Sequence, residues 1–189
     1  MADRGQGIRL FSSYHELEEI FRSFEESDSE DEGDDGIITS QLRHFVIQKY
    51  ISNPLLLNNR KFHIRAYIVA FGSMKVYVYR DMLSLFASKE YRTPNESTDL
   101  DVHLTNTCRQ EYPGQHVQRF WDLEFEGKGT IYERLKIVTR EVFQSALSTQ
   151  SVHFQTLPNA FEIFGVDYLI DDQLNVYLLE VNAVRSPPW

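Results

Sequence analysis

The stretch "FGVDYLIDDQLNVYLLEVNAVRSPPW", residues 164–189, reads as two strands joined by a turn. A hairpin of this kind pairs its strands antiparallel. Its apolar residues Leu169, Ile170, Leu178, Leu179 and Val181 flank three polar ones: Asp167, Glu180 and Asn182. Glu180 and Asn182 stand two apart, so they share a face of their strand. Asp167, on the preceding strand, can join them across the pair. Two carboxylates and an amide oxygen are hard donors suited to Mg²⁺. A bare carboxylate among such flanks would be costly. The alternative stays open that Asp167 is a solvent-face residue and Asn182 begins a turn.

Working upstream, "KFHIRAYIVA" (61–70) alternates cleanly. Phe62, Ile64, Ala66, Ile68 and Ala70 face one side, and Lys61, His63, Arg65 and Tyr67 the other. "MKVYVYR" (74–80) alternates again and can pair beside it. Lys61, His63 and Arg65 in one row repel each other unless an anion sits above them. Phosphate or a carboxylate would serve, and an arginine can grip a carboxylate with two hydrogen bonds. A solvated face with acidic cross-strand partners is the equal alternative.

"HFVIQKYI" (44–51) is β-rich and predicts a buried strand, and "IRLF" (8–11) a strand end. "NPLLLNN" is a loop. "SYHELEEIFRSF" opens with a capping box, Ser13 to Glu16, and sets Leu17, Ile20, Phe21 and Phe24 at helical spacing. "IYERLKIVTREVFQSAL" (131–147) is the strongest helix, with a stripe of Ile131, Leu135, Val138, Val142 and Ala146. "HLTNT" (103–107) is a polar segment expected to follow a strand end. Strands, a helix and strands again predict an α+β domain, with a mainly antiparallel sheet and helices on one face.

Composition excludes several classes. The net charge is −9, but "EESDSEDEGDD" (25–35) carries eight of the 28 acids, leaving 20 acids against 19 bases. That tract predicts a disordered insertion at about 25–36. With no basic patch, nucleic acid is not an expected partner. No run of about 18 apolar residues suggests a membrane span. The single cysteine, Cys108, excludes an internal disulfide and fits a reducing, cytoplasmic setting. Cys108 reads as a packing residue, since no His/Asp arrangement supports a nucleophile.

Six pieces in order, "RGQGI", "VIQKYISNPLLL", "RKFHIRAYIV", "VYRD", "HLTNTCRQ" and "FEIFGVDYLIDDQLNVYLLEVN", resemble the tubulin–tyrosine ligase-like family. The resemblance implies an ATP-grasp-type fold. It implies ATP- and Mg²⁺-dependent joining of an amino acid to a protein carboxylate, tubulin being one candidate, through an acyl phosphate. Residue by residue, it implies that Arg4, Gly5, Gln6 and Gly7 cover phosphates. Gln48, Lys49, Tyr50 and Ile51 would hold adenine, with backbone groups of 49–51 as the readers. Lys61 and His63 fall near the nucleotide, and Arg65 grips substrate. Thr105 and Asn106 lie near phosphate and metal, and Asp167, Glu180 and Asn182 bind Mg²⁺.

Two positions depart from the family pattern. "KFHIR" has His63 where aspartate is usual, and Leu85 stands where an arginine usually grips the substrate's carboxylate. Met1 also falls inside the domain, and "AVRSPPW" ends where the family continues into a helix. The resemblance thus implies a C-terminal piece of a domain, incomplete at both ends. A non-catalytic ligase-like scaffold or inactive fragment is the alternative function.

Overall fold

The computed structural model describes residues 8–29, 45–106, 116–149 and 154–183, with residues 24–29 described by backbone alone. The Arg4–Gly7 loop, residues 30–44 and Cys108 lie outside the described residues.

The described strands form one antiparallel sheet. In chain order they are β1 (Leu56–Leu57), β2 (Arg60–Phe71), β3 (Lys75–Val78), β4 (Leu83–Phe86), β5 (Val117–Arg119), β6 (Phe161–Ile170) and β7 (Val176–Ala183). The main path across the sheet is β5-β4-β2-β6-β7, with β1 and β3 paired to the ends of β2. β2 is the central strand because it can be buried on both sides. Its even-numbered apolar set from Phe62 to Ala70 is buried, and so are Lys61 and His63 opposite them. The Asn58–Asn59 pair turns β1 into β2 with both φ values positive, 51° and 58°. A two-residue turn of that hand matches strand twist, and asparagine tolerates it.

Among the described residues, three α-helices accompany the sheet: α1 (Tyr14–Ser29), the single turn α2 (Leu100–His103) and α3 (Lys128–Thr149), with a short 3-10 turn at Phe120–Asp122. α3 covers the apolar face. Ile131, Leu135 and Phe143 join Phe62, Ile64, Ala66, Ile68, Phe120, Phe164, Val166 and Tyr168 in one core. Of the expected stripe, Ile131 and Leu135 are buried and Val138 packs half-buried against the core, but Thr139 and Phe143 rather than Val142 and Ala146 complete the buried line. Thr139 sits in that line because its hydroxyl is satisfied. It donates to the Leu135 carbonyl at 2.8 Å and shares a 2.7 Å hydrogen bond with the Tyr168 hydroxyl.

Four further expectations are corrected. Residues 45–51 form no strand and are largely exposed, Val46 at 82%. A β-rich sequence needs a neighbour to pair with, and among the described residues none runs beside it. Phe45 instead packs edge-on against Phe21 of α1, ring centres 5.2 Å apart. Residues 8–11 likewise form no strand. α1 runs to Ser29, so the first five residues of the acidic tract, 25–29, are helical. At its start the Glu16 amide donates to Ser13 Oγ at 3.2 Å, but the Glu16 carboxylate reaches the Ser12 amide at 2.6 Å, one residue early. His103 ends α2 and residues 104–106 follow that helix rather than a strand end.

The terminal hairpin forms as expected, with one irregularity. Asp167 pairs with Glu180 and Tyr168 with Leu178, so Leu179 is an extra residue. Such a bulge breaks strict alternation. It keeps Glu180 and Asn182 on the same face as Asp167, while Tyr177 pairs with Leu169 on that face too. Among the described residues β7 is the edge of the sheet, and Leu178, Leu179 and Val181 are each over a third exposed. The apolar flanks therefore bury Asp167 but not Glu180 or Asn182, and the expected burial cost applies to one of the three.

Candidate functional site

The face of the sheet opposite α3 carries the polar residues. Register places them in rows across the strands. One row runs Arg119, Leu83, Arg65, Asp167, Glu180 from β5 to β7. The next runs Val117, Leu85, His63, Leu169, Tyr177. Beside the first lies Tyr67, Gly165, Asn182.

Arg65 and Asp167 form the centre. Nε donates to Oδ1 and an Nη to Oδ2, both at 2.6 Å. Asp167 is 3% exposed, so this paired geometry offsets the burial of its charge. Hydrogen bonding to Asp167 raises the Arg65 pKa above its ordinary value. For Arg65, the cross-strand acidic partner is therefore present in the chain itself.

His63 lies one position along. Nδ1 is 2.5 Å from Thr105 Oγ1, which the segment after α2 brings onto this face. Nε2 is 3.6 Å from Asp167 Oδ1 and, among the described residues, buried without a hydrogen-bond partner. Burial first, and then the positive charge of Arg65, pushes the ring's pKa down to about 3; Glu180 pulls the other way and Lys61 adds a smaller push down. His63 is thus a neutral imidazole at physiological pH.

Lys61 is buried, and burial pushes its pKa down to about 8. Its Nζ donates to the Tyr50 hydroxyl at 3.3 Å and lies 4.6 Å from that ring's centre. Tyr50 donates on to His103 Nδ1 at 2.8 Å, and His103 Nε2–H donates to the Ser97 carbonyl at 2.7 Å. The carbonyl can only accept, so it sets the direction of the whole chain. Sequence reasoning missed this His103–Tyr50 link, because 53 residues separate the partners. It also missed Arg119, an exposed cation in the Arg65 row, since the three-residue β5 lies in a segment that reads as loop.

The structure brings Lys61, His63, Arg65, Thr105, Asp167, Glu180 and Asn182 to one face. Asn106 follows Thr105, half-buried. Gln48, Lys49, Tyr50 and Ile51 lie in an irregular segment rather than a strand. It is pinned by Tyr91 Oη donating to the Ser52 carbonyl at 2.9 Å and by Leu55 N–H donating to the Ile170 carbonyl at 2.8 Å. Among the described residues, no neighbouring strand takes up the backbone groups of 48–51. Arg4, Gly5, Gln6 and Gly7 lie outside the described residues.

The three expected metal ligands offer only oxygen donors, which fits Mg²⁺ in kind. Asn182 Nδ2 donates to Glu180 Oε1 at 2.9 Å, leaving the amide oxygen available. Among the described residues, no three His, Cys, Asp or Glu side chains are already gathered about one point. Asp167 is held by Arg65, and Glu180 is exposed on the edge strand. The residues therefore fit a cation in chemistry and share a face, with Glu180 turned outward. A cavity of about 160 Å³ at the far end of β2, lined by Ala70, Phe71, Phe154 and Phe164, is apart from this face and carries none of these groups.

Comparison with known proteins decides the family. The tubulin-tyrosine ligase family model matches residues 1–187. The chain belongs to the tubulin-tyrosine ligase family. It is 47% identical to a probable tubulin–tyrosine ligase of Schizosaccharomyces pombe, over 97% of this chain and 49% of that protein. It is 43% identical to the probable tubulin–tyrosine ligase PBY1 of Saccharomyces cerevisiae, over 97% of this chain and 29% of that one. Among solved structures it resembles the C-terminal domain of K. lactis Pby1, described as an ATP-grasp enzyme interacting with the mRNA decapping enzyme Dcp2. That match has a TM-score of 0.64 and 36% identity, covering 95% of this chain and 47% of that one. The chain thus spans about half or less of the relatives it matches. Fold and family make it a ligase-like module of ATP-grasp type. Among the described residues, no helix is long and apolar enough to cross a membrane.

Proposed function

We propose that this chain forms part of an ATP- and Mg²⁺-dependent ligase that joins an amino acid to a protein carboxylate, acting in the cytoplasm. The observation that carries the reading is the sheet face opposite α3, which holds Lys61, Arg65, Thr105 and the Asp167–Glu180 pair together. ATP would transfer its γ-phosphoryl group to an oxygen of the acceptor carboxylate, releasing ADP. The amine of the incoming amino acid would attack the acyl carbon, phosphate would leave, and the nitrogen would lose a proton to give the amide.

Such chemistry needs positioning and charge neutralisation more than a nucleophilic side chain. Lys61, buried and among the described residues hydrogen-bonded only to a tyrosine oxygen, gains most from a phosphate. Thr105 and Asn106 offer hydrogen bonds to the same anion. Arg65 has the planar fork that grips a carboxylate, and Asp167 holds that fork in orientation. The backbone of 49–51 would read adenine, and Arg4, Gly5, Gln6 and Gly7 would close over the phosphates. Asp167, Glu180 and Asn182 would hold Mg²⁺, which supplies neutralisation of phosphate charge when bound. Relatives include proteins named as a tubulin glycylase and a probable polyglutamylase, 25% and 27% identical, so tubulin is the candidate acceptor and the amino acid is open.

A second reading, a ligase-like scaffold without catalysis, has its own observation. Leu85, buried directly across from His63, puts an apolar side chain in the polar face. Titration calorimetry with Mg·ATP separates the two. Micromolar binding that is lost in Lys61→Met supports the ligase reading; no binding to this chain or to a longer form of it would sink it.

A further inference from the structure

We propose that His63 Nε2 is itself a metal ligand, making the cation site of Asp167, Glu180 and Asn182 a mixed nitrogen–oxygen site that favours first-row transition ions over Mg²⁺. This rests on the metal-site reading above and deepens it.

The argument starts from an unmet need. His63 is 3% exposed, yet its Nε2 has no hydrogen-bond partner among the described residues. A buried polar atom left unpaired is unfavourable and calls for an explanation. A buried water would need several polar partners at that point, and the polar atom beside Nε2 is a single carboxylate oxygen. Asp167 Oδ1 lies 3.6 Å away, too far for a hydrogen bond. Two donors each about 2.1 Å from one ion sit about 3.0 Å apart at a right angle and about 4.2 Å apart when opposite. The observed gap falls between these limits, so one ion can touch both atoms.

The ring is also oriented as a ligand should be. Thr105 Oγ1 holds Nδ1, which fixes the plane of the imidazole and points Nε2 at Asp167. Metal-bound histidines characteristically have their other nitrogen held in this way. Glu180 pairs with Asp167 across the hairpin and is exposed, so its side chain can rotate toward the same point. The Arg65 guanidinium, about a third exposed, must release one Asp167 oxygen as the cation enters. Imidazole nitrogen suits Mn²⁺, Co²⁺ or Zn²⁺ better than Mg²⁺, which prefers oxygen throughout.

The test uses Mn²⁺ with the full chain, alone and with a non-hydrolysable ATP analogue, read by pulsed electron paramagnetic resonance. The expected spectrum carries the ¹⁴N modulation of a directly bound imidazole. It disappears in His63→Asp and in His63→Asn while Mn²⁺ stays bound, and the preference for Mn²⁺ over Mg²⁺ falls on the order of tenfold. Bound Mn²⁺ with no ¹⁴N modulation, or modulation that survives both substitutions, overturns the proposal and leaves the metal site standing. Failure of wild-type protein to bind either ion, with or without the analogue, overturns the metal site as well.

Discussion

Arg65 and Asp167 occupy paired positions on β2 and β6 and are joined by two hydrogen bonds of 2.6 Å. The pair ties the two longest-paired strands together on the face opposite the core. It also occupies the carboxylate that a cation would use, so it links fold stability to the site. Removing one partner leaves a buried charge without compensation. Asp167→Asn is expected to lower stability by about 1–3 kcal/mol, less than a fully buried pair because Arg65 is partly exposed. The double variant Arg65→Met/Asp167→Leu should recover most of that loss, since well-packed apolar residues often replace an ion pair at no net cost. Urea denaturation of the singles and the double checks both. A double variant weaker than Asp167→Asn would refute the account.

Lys61 carries a pH signature. Its pKa falls from 10.5 to about 8 because burial penalises the charged form. Below pH 8 the lysine is charged in folded and unfolded chains, and the folded state bears the penalty. Between pH 8 and 10.5 the unfolded chain binds the extra proton, so this residue's contribution to stability rises with pH. Lys61→Met should therefore stabilise the apo protein at pH 7 by about 1–3 kcal/mol, with the gain shrinking toward pH 10. The difference between wild type and variant, measured by urea unfolding at pH 7 and 9.5, isolates this group. Anion binding should show the opposite trend and weaken as pH rises through 8.

Thr139 tests the corrected helix stripe. Its hydroxyl is the hydrogen-bond partner of Tyr168 Oη, on a residue with no exposed surface. Thr139→Val keeps the shape but strands that hydroxyl, and should cost about 1–2 kcal/mol. Tyr168→Phe removes the same bond from the other side. The double variant should cost less than the two singles added together, because neither partner is then left unpaired. Strict additivity in a thermal or urea series would mean the bond contributes nothing.

These residues also show what was legible in the sequence. The alternation of 61–70 was readable because β2 has one wholly apolar side, and its opposite row lies on the face that carries the candidate site residues. The hairpin was readable for the same reason, and it set Asp167, Glu180 and Asn182 together. Thr139 was not, since periodicity counts apolar residues and cannot foresee a threonine whose hydroxyl is satisfied by a tyrosine 29 positions away. Residues 45–51 misled in the reverse sense: Phe45, Val46 and Ile47 favour a strand, but pairing is a tertiary event and no neighbour is present among the described residues. The Leu179 bulge was likewise hidden, although the Leu178–Leu179 doublet breaks the alternation where it occurs.

Asp171 governs how the hairpin closes, and hence where β7 lies. Burial would raise its pKa, but hydrogen bonds outweigh that and hold it below the ordinary 3.8. Asn175 gives it both its side-chain amide, at 3.0 Å, and its backbone N–H, at 2.8 Å. Tyr177 Oη and the Gln173 amide add bonds of 3.0 and 2.9 Å. A carboxylate with a depressed native pKa contributes stability that is present above its unfolded value and lost as pH falls through the folded one. Asp171→Asn removes the charge these donors share and should cost about 1–3 kcal/mol at pH 6. The difference from wild type should narrow below pH 4, as the wild-type carboxylate takes up its proton. Because the turn sets the β6–β7 register, the same variant should weaken any cation bound by Asp167 and Glu180 without touching either. Urea unfolding at pH 6 and pH 3, paired with Mn²⁺ titration at pH 7, reads both effects. Full stability at pH 6 would show that the turn holds without its carboxylate.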